Sequence, residues 1–470
     1  MLRHDAANNV EIEMQTPIYD FVTEYTASDT TRFHMPGHKG KKVLGGEDRD
    51  ITEISGADAL YEASGIIAAS EANATVLFGT GKTVSSTEGS SQCVRAMLEL
   101  ARRWWQKKCA DGMEAGTVRP VIVAARNVHK AFLYAAILLD FDVVWLWPEE
   151  ENPSLCSCVV TPETLEKVLA EQGKQVAAVY LTSPNYLGGI ADISAFSKVC
   201  HRHNTLLLVD NAHGAYLHFL EKSLHPMDLG ADICCDSAHK TLPVLTGGAY
   251  LHISKEAPKE LQSWAKGAME LFGSTSPSYL ILQSLDLCNK YLAEGYRERL
   301  KSACGLLETC RQHLKNSGWQ VEETDPLRIT IKAPQEMTGT ALAECLRKNR
   351  MECEFADEDY LVLMATPENP VQDFDRLIAA LGEISLEYME NAKETEIPLV
   401  KNAFSVMSMR DAFFSEGESI PVSEAQGRIC RMPTATCPPA IPVVVPGEII
   451  DETAVKSFLY YGIDYVEVVK

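Results

Sequence analysis

Several features that would narrow the function are missing from this sequence of 470 residues. No stretch approaches the length of an apolar membrane-spanning helix, and residues 1–9 have no apolar core of the kind that a secretory signal peptide contains. Positive charge is also scarce, because 43 Lys and Arg against 65 Asp and Glu give a net charge of −22. Such a charge disfavours nucleic acids and anionic membranes as partners. These absences predict a globular, cytoplasmic protein that binds neither.

The cysteines, 14 in number, lack the spacing of a zinc site. Cys156 and Cys158 form a pair without a second pair at zinc-ribbon distance, and several other cysteines fall in apolar strand or helix patterns. We interpret the cysteines as reduced core residues. His34 and His38 are separated by Pro36, which prevents the helical geometry that would direct both imidazoles to one ion. No metal site is predicted.

The pattern of apolar runs predicts an α/β protein of several domains, because a chain of this length exceeds one ordinary core. Between residues 76 and 295, continuous apolar runs alternate with helical patterns, which is typical of a mainly parallel sheet covered on both faces. A long helical pattern over 287–315 leads to a smaller alternating region. We expect an N-terminal arm (1–75), a large α/β domain (76–295), a small α/β domain (296–388) and a C-terminal α+β domain (389–470).

Lys240 has the most informative setting in the chain. It follows the apolar run 231–235, and Asp210 ends the preceding apolar run 30 residues earlier, which is roughly one βαβ unit. In an enzyme that uses pyridoxal phosphate (PLP), a lysine forms the Schiff base with the cofactor and a carboxylate pairs with the pyridinium nitrogen. Alone, such a lysine is usually surface charge and such an aspartate is usually a helix cap. Together they predict a PLP site.

Serines supply the predicted phosphate cradle. Ser90 and Ser91 lie just before a helical pattern that begins at Cys93. Hydroxyl and backbone N–H groups at the start of a helix bind anions well. Ser237 is close to Lys240 in sequence and is predicted to donate another hydroxyl to the same phosphate.

Two histidines complete the predicted site. His129 follows the apolar run 121–125, at the sheet edge where ligands collect in such folds, and an imidazole there could stack on the cofactor ring opposite Ala212. A lone histidine at a strand end is more often solvated or hydrogen-bonded within the protein. His239 stays open between phosphate binding and packing.

With these pieces located, further motifs appear in a fixed order along the chain. They are FHMPGHKG (33–40) and residues 50–53, 89–91, 127–130, 210–215, 237–243 (SAHKTLP), 275–279 and 445–448. Their order and spacing resemble the ornithine/lysine/arginine decarboxylase family of PLP enzymes, in the short form without an N-terminal wing domain. The resemblance implies PLP fold type I with a mainly parallel seven-stranded sheet. It also implies decarboxylation of a basic amino acid, with arginine the first expectation and lysine or ornithine next.

The resemblance also implies roles for individual residues. Lys240 would carry PLP, Asp210 would pair with the ring nitrogen, His129 would stack on the ring and His213 would sit near the cofactor. Ser274 and Thr275 would reach the phosphate bound to a neighbouring subunit, so a homodimer or larger homo-oligomer with a shared active site is implied. The residues implied to contact the cofactor are Ser90, Ser91, His129, Asp210, Ala212, Ser237, His239, Lys240, Ser274 and Thr275.

A few positions depart from the pattern of that family. Asn211 stands where an acid is common, Tyr216 where a second histidine is common, and Gly247 where glutamine is frequent. Cys437 and Ala440 alter the usual Tyr-Pro-Pro-Gly. None of these changes removes a group that holds PLP, so they leave open which basic amino acid is used.

Other functions stay open at this level. A PLP-dependent aminotransferase or lyase would keep the α-carboxylate of its substrate and usually needs an arginine to clamp it. A non-catalytic homologue that regulates or binds partners would not need Lys240, Asp210 and His129 together. A metal-dependent hydrolase is the remaining alternative.

Overall fold

The computed structural model describes residues 14–109, 119–148, 154–334, 337–384, 400–401, 403–434 and 440–470. Within these ranges, no helix is both long enough and apolar enough to cross a membrane. Every cysteine within them is a free thiol. Cys437, one of the departures noted above, lies outside the described residues.

The largest sheet has seven strands in the order β1-β7-β6-β5-β4-β2-β3. Its strands are β1 (Lys82–Ser86), β2 (Val121–Ala125), β3 (Asp142–Leu146), β4 (Val176–Thr182), β5 (Leu206–Asp210), β6 (Ile233–Asp236) and β7 (Ala249–Ile253). Strands β2 to β6 pair in parallel, while β7 runs antiparallel to both of its neighbours, β1 and β6. The predicted mainly parallel, seven-stranded sheet is confirmed.

Helices cover both faces of this sheet. They are α1 (Pro17–Ala27), α2 (Ile66–Leu77), α3 (Ser90–Cys109), α4 (Lys130–Leu139), α5 (Pro162–Gln172), α6 (Ile193–Arg202), α7 (Ala238–Thr241), α8 (Lys259–Glu270) and α9 (Tyr279–Ala293). Side chains alternate along each strand. In β2, Ile122 and Ala124 pack in the core with α3, α4 and α8, whereas Val121 and Val123 pack in the core with α5 and α6.

The helix ends follow local sequence signals, with one exception. The side chain of Thr161 accepts a hydrogen bond from the N–H of Thr164 at the start of α5, and Gly173, with φ +62°, ends that helix. The long helix expected over 287–315 is wrong, because α9 ends at Ala293 and α10 begins at Tyr296. Gly295 between them has φ +69°, a left-handed conformation that interrupts the helix.

The chain continues into two smaller sheets. The first has the order β10-β11-β9-β8 with antiparallel pairing, and the second pairs β12 with β13. The elements are α10 (Tyr296–Asn316), β8 (Gln320–Val321), β9 (Arg328–Lys332), α11 (Gly339–Lys348), β10 (Phe355–Ala356), β11 (Tyr360–Met364), α12 (Val371–Gly382), α13 (Met409–Phe414), β12 (Gly417–Pro421), α14 (Glu452–Tyr460) and β13 (Tyr465–Val469). The domain boundaries given above stay predictions.

A buried ion pair joins the C-terminal region to the large sheet. Nη2 of Arg126, just after β2, lies 2.7 Å from Oε2 of Glu448, and the side chains are 8% and 0% exposed. The Arg126 guanidinium also lies over the rings of Trp145 and Trp147. Nearby, the N–H of Lys130 donates to the carbonyl of Ala440 at 3.0 Å. The C-terminal region is therefore anchored at the start of α4.

Candidate functional site

The candidate site lies at the carboxyl ends of β4, β5 and β6. Asp210, the last residue of β5, pairs in register with Thr182 of β4 on one side and Cys235 of β6 on the other. Lys240 lies in α7, which begins two residues after β6 ends. Ligands collect at this edge of an open α/β sheet because the connections there leave a crevice.

The carboxylate of Asp210 is held from two sides. Oδ2 accepts a hydrogen bond from the Tyr180 hydroxyl at 3.0 Å, and Oδ1 accepts one from the N–H of Ala212 at 3.2 Å. Burial, followed by the charge of Asp210, raises the pKa of Tyr180 well above its ordinary value. The hydroxyl therefore stays a donor, and the carboxylate keeps a fixed orientation.

The amine of Lys240 meets an imidazole. Its Nζ lies 2.7 Å from Nε2 of His213. Burial lowers the pKa of Lys240, although the charges of Asp210 and Glu354 oppose that effect. A lysine whose ammonium form is disfavoured is the kind that acts as a nucleophile in proteins.

His213 is buried and held on its far side by Arg328. Its Nδ1 lies 2.8 Å from Nη2 of Arg328, and its ring meets the ring of Tyr186 edge-on, with centroids 5.0 Å apart. Burial lowers the pKa of His213 well below its ordinary value, and the positive charges of Lys240 and Arg328 lower it further. The imidazole is neutral near pH 7.

His129 begins α4 as its N-cap. Its Nδ1 accepts a hydrogen bond from the N–H of Ala131 at 3.1 Å. Burial lowers the pKa of His129 to about 4; the charge of Asp210 opposes this shift and that of Lys240 adds to it. The ring is therefore neutral and near both residues, while its stacking on a cofactor stays a prediction.

The predicted phosphate residues gather at the start of α3. Ser90 is its first residue, the first turn carries no acid, and Ser237 donates from Oγ to Oγ of Ser90 at 2.7 Å. Gly89 precedes the helix with φ +71°, and its N–H donates to the carbonyl of Gly247 at 2.7 Å. Hydroxyls at the positive end of a helix of 20 residues suit a phosphate.

Taken together, the donors and acceptors present fit PLP. A nucleophilic amine, a fixed carboxylate, a neutral imidazole and a hydroxyl-lined helix start come from separate elements that meet at one sheet edge. These are the groups that PLP requires of a protein. Lys240, Asp210, Ala212, His213 and His129 are thus brought together, and Ser237 connects this group to Ser90.

Three other predicted residues have contacts of a different kind. Nδ1 of His239 donates to the carbonyl of Gly248 at 3.0 Å, so one of its ring nitrogens is occupied by the backbone. Ser274 and Thr275 are exposed, and the N–H of Ser274 donates to the carboxylate of Glu88 in the same chain. Their role toward a neighbouring subunit stays a prediction.

The departure at Asn211 has a physical reason. Asn211 is fully buried, and its Nδ2 donates to Oδ1 of Asp236 at 2.7 Å, so an acid in its place would set two carboxylates against each other.

Oδ2 of Asp236 accepts from Nε2 of His225 (3.0 Å) and of His252 (3.2 Å). Together with Cys234, His225 and Asp236 place possible metal-ligand atoms within 4.8 Å of one another, which their spacing in the sequence did not indicate.

Four residues of the site escaped sequence reasoning: Tyr180, Tyr186, Arg328 and Glu354. Arg328 is a charge inside an apolar strand pattern, and that was the one signal available for it. Tyr180 lies within an apolar run and reads as a core residue, while Tyr186 and Glu354 carry no local signal. The contact of Tyr180 with Asp210 follows from the pairing of β4 with β5, whereas the contacts of Tyr186, Arg328 and Glu354 come from the packing of the small sheet against the large one.

The family models that match this chain and several of its curated relatives are described as decarboxylases of basic amino acids. A family model described as Orn/Lys/Arg decarboxylase, major domain, matches residues 16–367, and its C-terminal domain matches residues 398–465. An arginine decarboxylase of Bacillus subtilis is 28% identical over 482 residues, which cover 96% of this chain and 94% of that protein. The lysine decarboxylase LdcA of Pseudomonas aeruginosa is 21% identical over 590 residues, covering 97% and 76%.

Solved structures show the same fold. The lysine decarboxylase LdcF of Francisella novicida superposes with a TM-score of 0.78 at 17% identity, covering 98% of this chain and 82% of that one. Lysine decarboxylase A of Pseudomonas aeruginosa gives a TM-score of 0.77 at 18% identity, covering 99% and 82%. The PLP fold type I expected from the sequence is confirmed.

Gly247 accepts a hydrogen bond from Gly89, just before α3, so a substitution at Gly247 tests the backbone conformation beside the predicted phosphate site. The φ of Gly247 is +98°, and an added Cβ would lie 2.9 Å from the carbonyl oxygen of Thr87. Gly247→Ala should therefore lower the free energy of unfolding by about 2 kcal/mol and weaken PLP uptake, measured by urea unfolding and cofactor titration. Gly267→Ala, on the exposed face of α8 with open space around it, should instead stabilise by about 1 kcal/mol. Equal effects of the two changes on the free energy of unfolding would contradict the requirement for glycine at position 247.

Protonation of His129 should couple stability to pH. The pKa of His129 is about 4 in the folded chain and about 6.5 in the unfolded chain. Its stabilising contribution is complete above pH 6.5 and is lost as the pH falls toward 4, since protons then favour the unfolded state. Between pH 7 and pH 5 the unfolding free energy of the cofactor-free protein should fall by about 2 kcal/mol through this residue.

The matched variant is His129→Asn, which keeps an N-cap acceptor. Its urea unfolding should show a fall that is smaller by this amount, the remainder coming from other groups such as His213. An unchanged pH dependence in the variant would contradict the burial of a neutral His129.

Proposed function

The chain belongs to the Orn/Lys/Arg decarboxylase family, and from that premise we propose that it removes the α-carboxyl group of a basic amino acid as carbon dioxide, with PLP held by Lys240. Arginine is the first substrate of the proposal, and lysine or ornithine comes next. The product is the corresponding amine, of the kind used in polyamine synthesis.

The observation that carries the substrate class is the exposed carboxylate of Glu354, just before β10. Its Oε1 accepts a hydrogen bond from the Tyr186 hydroxyl at 3.0 Å, and the Tyr186 ring contacts His213, which contacts Lys240. The charge of Glu354 also acts on Lys240. A carboxylate that the rings of Tyr186 and His213 connect to the reactive amine suits the distal cation of a basic amino acid.

One feature of Glu354 supports arginine over lysine. The second oxygen of Glu354, Oε2, accepts no hydrogen bond from the described residues, so it is available to an N–H group of a guanidinium. A guanidinium binds a carboxylate through two parallel N–H groups, whereas an ammonium binds as a point charge.

The fate of the α-carboxylate separates this proposal from an aminotransferase. Arg328, a buried arginine behind His213, is 1% exposed and donates to the carbonyls of Asn185 and Tyr186 and to His213. It is engaged by protein groups and is not presented as a carboxylate clamp. A carboxyl group that leaves as neutral carbon dioxide does not need one.

The residue roles are part of the proposal. When bound, PLP supplies a positively charged ring that accepts the electron pair left by the carboxyl group. Asp210 holds the proton on the ring nitrogen, while Tyr180 and the N–H of Ala212 hold Asp210. His129 would stack on the ring as a neutral group. After the carboxyl group has left, the α-carbon would receive a proton from Lys240 or from a nearby histidine.

The remaining groups hold the cofactor or substrate. Ser90, Ser91 and Ser237 bind the phosphate at the start of α3, and His239 lies beside them. Glu354 and Tyr186 bind the distal cation of the substrate. We also propose that the exposed Ser274 and Thr275 contact the phosphate of a second copy of this chain in a homodimer.

The proposal also covers the domain division and the cellular compartment. The chain divides into an arm (1–75), a PLP-binding domain (76–295), a small domain (296–388) and a C-terminal domain (389–470). The protein works in the cytoplasm, which the free thiols of its described cysteines support.

The reaction is tested by giving arginine, lysine, ornithine and agmatine to the PLP-loaded protein and identifying amine, carbon dioxide and keto acid products. Amine and carbon dioxide are expected from arginine, and Lys240→Ala should lose both turnover and the borohydride-reducible linkage to the cofactor. Keto acid products would favour an aminotransferase. A colourless protein that takes up no PLP would favour a non-catalytic homologue.

The role of Glu354 is tested by Glu354→Gln, which removes the charge and keeps the size. Loss of one charge-assisted contact of about 2 kcal/mol should lower kcat/KM for the preferred substrate by about thirtyfold, mainly through KM. Glu352→Gln is the matched control, because Glu352 is exposed two residues away and pairs with Arg347. Equal effects of the two variants would contradict the proposed contact.

A further inference from the structure

A buried arginine stands behind the imidazole that touches Lys240. Arg328 of β9 is 1% exposed, and its Nη2 lies 2.8 Å from Nδ1 of His213. Nε2 of the same ring lies 2.7 Å from Nζ of Lys240. The three side chains therefore form a continuous line of hydrogen-bonding groups from the small sheet to the reactive amine.

Hydrogen bonding allows one arrangement of protons along this line. A guanidinium has only donors, so Nδ1 of His213 must accept from Arg328. A neutral imidazole has one N–H, which must then be on Nε2 and point to Lys240. An ammonium has no lone pair, so Lys240 can accept this hydrogen bond only as a neutral amine. If Lys240 were protonated, two N–H donors would face each other, either between Arg328 and His213 or between His213 and Lys240.

Arg328 is the member of the line that cannot adjust. Its Nη1 donates to the carbonyls of Asn185 (2.9 Å) and Tyr186 (2.7 Å), and its Nε lies 3.1 Å from Oδ2 of Asp325. A guanidinium does not lose its proton in proteins, whereas a buried lysine does. The mismatch is therefore relieved at Lys240. Burial, which lowers the pKa of both Lys240 and His213, acts in the same direction.

We propose that Arg328 is a positioning residue that fixes His213 as the Nε2–H tautomer and thereby keeps Lys240 as a free amine. The inference rests on the proposed function in one respect: a free amine is the form that adds to the aldehyde carbon of PLP, with one water molecule leaving. The same arrangement makes His213 a donor toward Lys240, so His213 does not take a proton from it.

Charges on the other sides of Lys240 oppose Arg328. Asp210 and Glu354 both favour the ammonium form. Without the guanidinium, no positive charge from Arg328 offsets the effect of these carboxylates on the pKa of Lys240. His213 can then carry its proton on Nδ1 and present the lone pair of Nε2 to an ammonium. Lys240 should therefore gain a proton. The remaining titratable groups nearby are neutral near pH 7, because burial disfavours their charged forms: His129, His239 and Cys235.

The first test compares Arg328→Met with Arg328→Lys. Formation of the borohydride-reducible linkage is followed by absorbance after PLP is added to cofactor-free protein across a pH series. In Arg328→Met the midpoint should rise by about one pH unit, and the rate at pH 7 should fall about tenfold. Arg328→Lys still offers a donor to Nδ1 and should recover most of the rate.

Arg311→Met is the matched control for loss of a buried guanidinium. Arg311 is 8% exposed and donates to the backbone carbonyl of Arg328, without a contact to His213. Its variant should lower the free energy of unfolding and leave the midpoint of linkage formation unchanged. An unshifted midpoint in folded Arg328→Met would overturn the proposal.

Nitrogen-15 NMR of the cofactor-free protein reads the tautomer of His213 without any change to Arg328. The signals are assigned by their loss in His213→Gln, and a protonated Nε2 with an unprotonated Nδ1 is expected. A protonated Nδ1 would overturn the proposal even if every Arg328 variant failed to fold. A protein that shows the expected tautomer but decarboxylates no basic amino acid overturns the proposed function and leaves this inference standing.

Discussion

The parallel register of β4, β5 and β6 is the constraint on which the rest of the site depends. β5 lies between the other two strands, so Asp210 ends it with Thr182 on one side and Cys235 on the other. Along β5, Leu208 faces the core with α3 and α4, whereas Val209 faces the core with α5 and α6. A shift of one residue would turn the carboxylate of Asp210 to the opposite face of the sheet, away from Tyr180 and Lys240.

The small sheet completes the site with charges of opposite sign. Arg328 comes from β9 and Glu354 from the residue before β10, and both act on Lys240. The cation is buried and engaged by carbonyls, a carboxylate and an imidazole, whereas the anion is exposed and accepts from one donor among the described residues, Tyr186. An engaged cation discourages a proton on Lys240 while an available anion attracts a cationic substrate. The site can therefore keep its amine neutral and still favour basic ligands.

Sequence reasoning located the residues that stand at the ends of regular elements. Lys240 and Asp210 follow β6 and β5, which pair in parallel, so their meeting at one edge follows from that pairing. Ser90 follows β1, which ends at the same edge because β7 runs antiparallel to both β1 and β6. Arg328 and Glu354 could not be found in this way, because their contacts depend on how a second sheet packs against the first. The sequence predicts one long helix over 287–315 because the apolar periodicity continues past Gly295. The positive φ of Gly295 instead separates α9 from α10.

The ion pair between Arg126 and Glu448 has a consequence for how this chain can be recombined with others. Both charges are buried, and the N–H of Lys130, beside His129, is held by the carbonyl of Ala440. A chimaera that takes its C-terminal region from another protein inherits position 448 from one parent and position 126 from the other. Unless the two match, one charge is left buried without its counterion, at a cost of about 3–5 kcal/mol. Exchange of this region therefore avoids this cost when residues 126 and 448 match in the two parents or are transferred together.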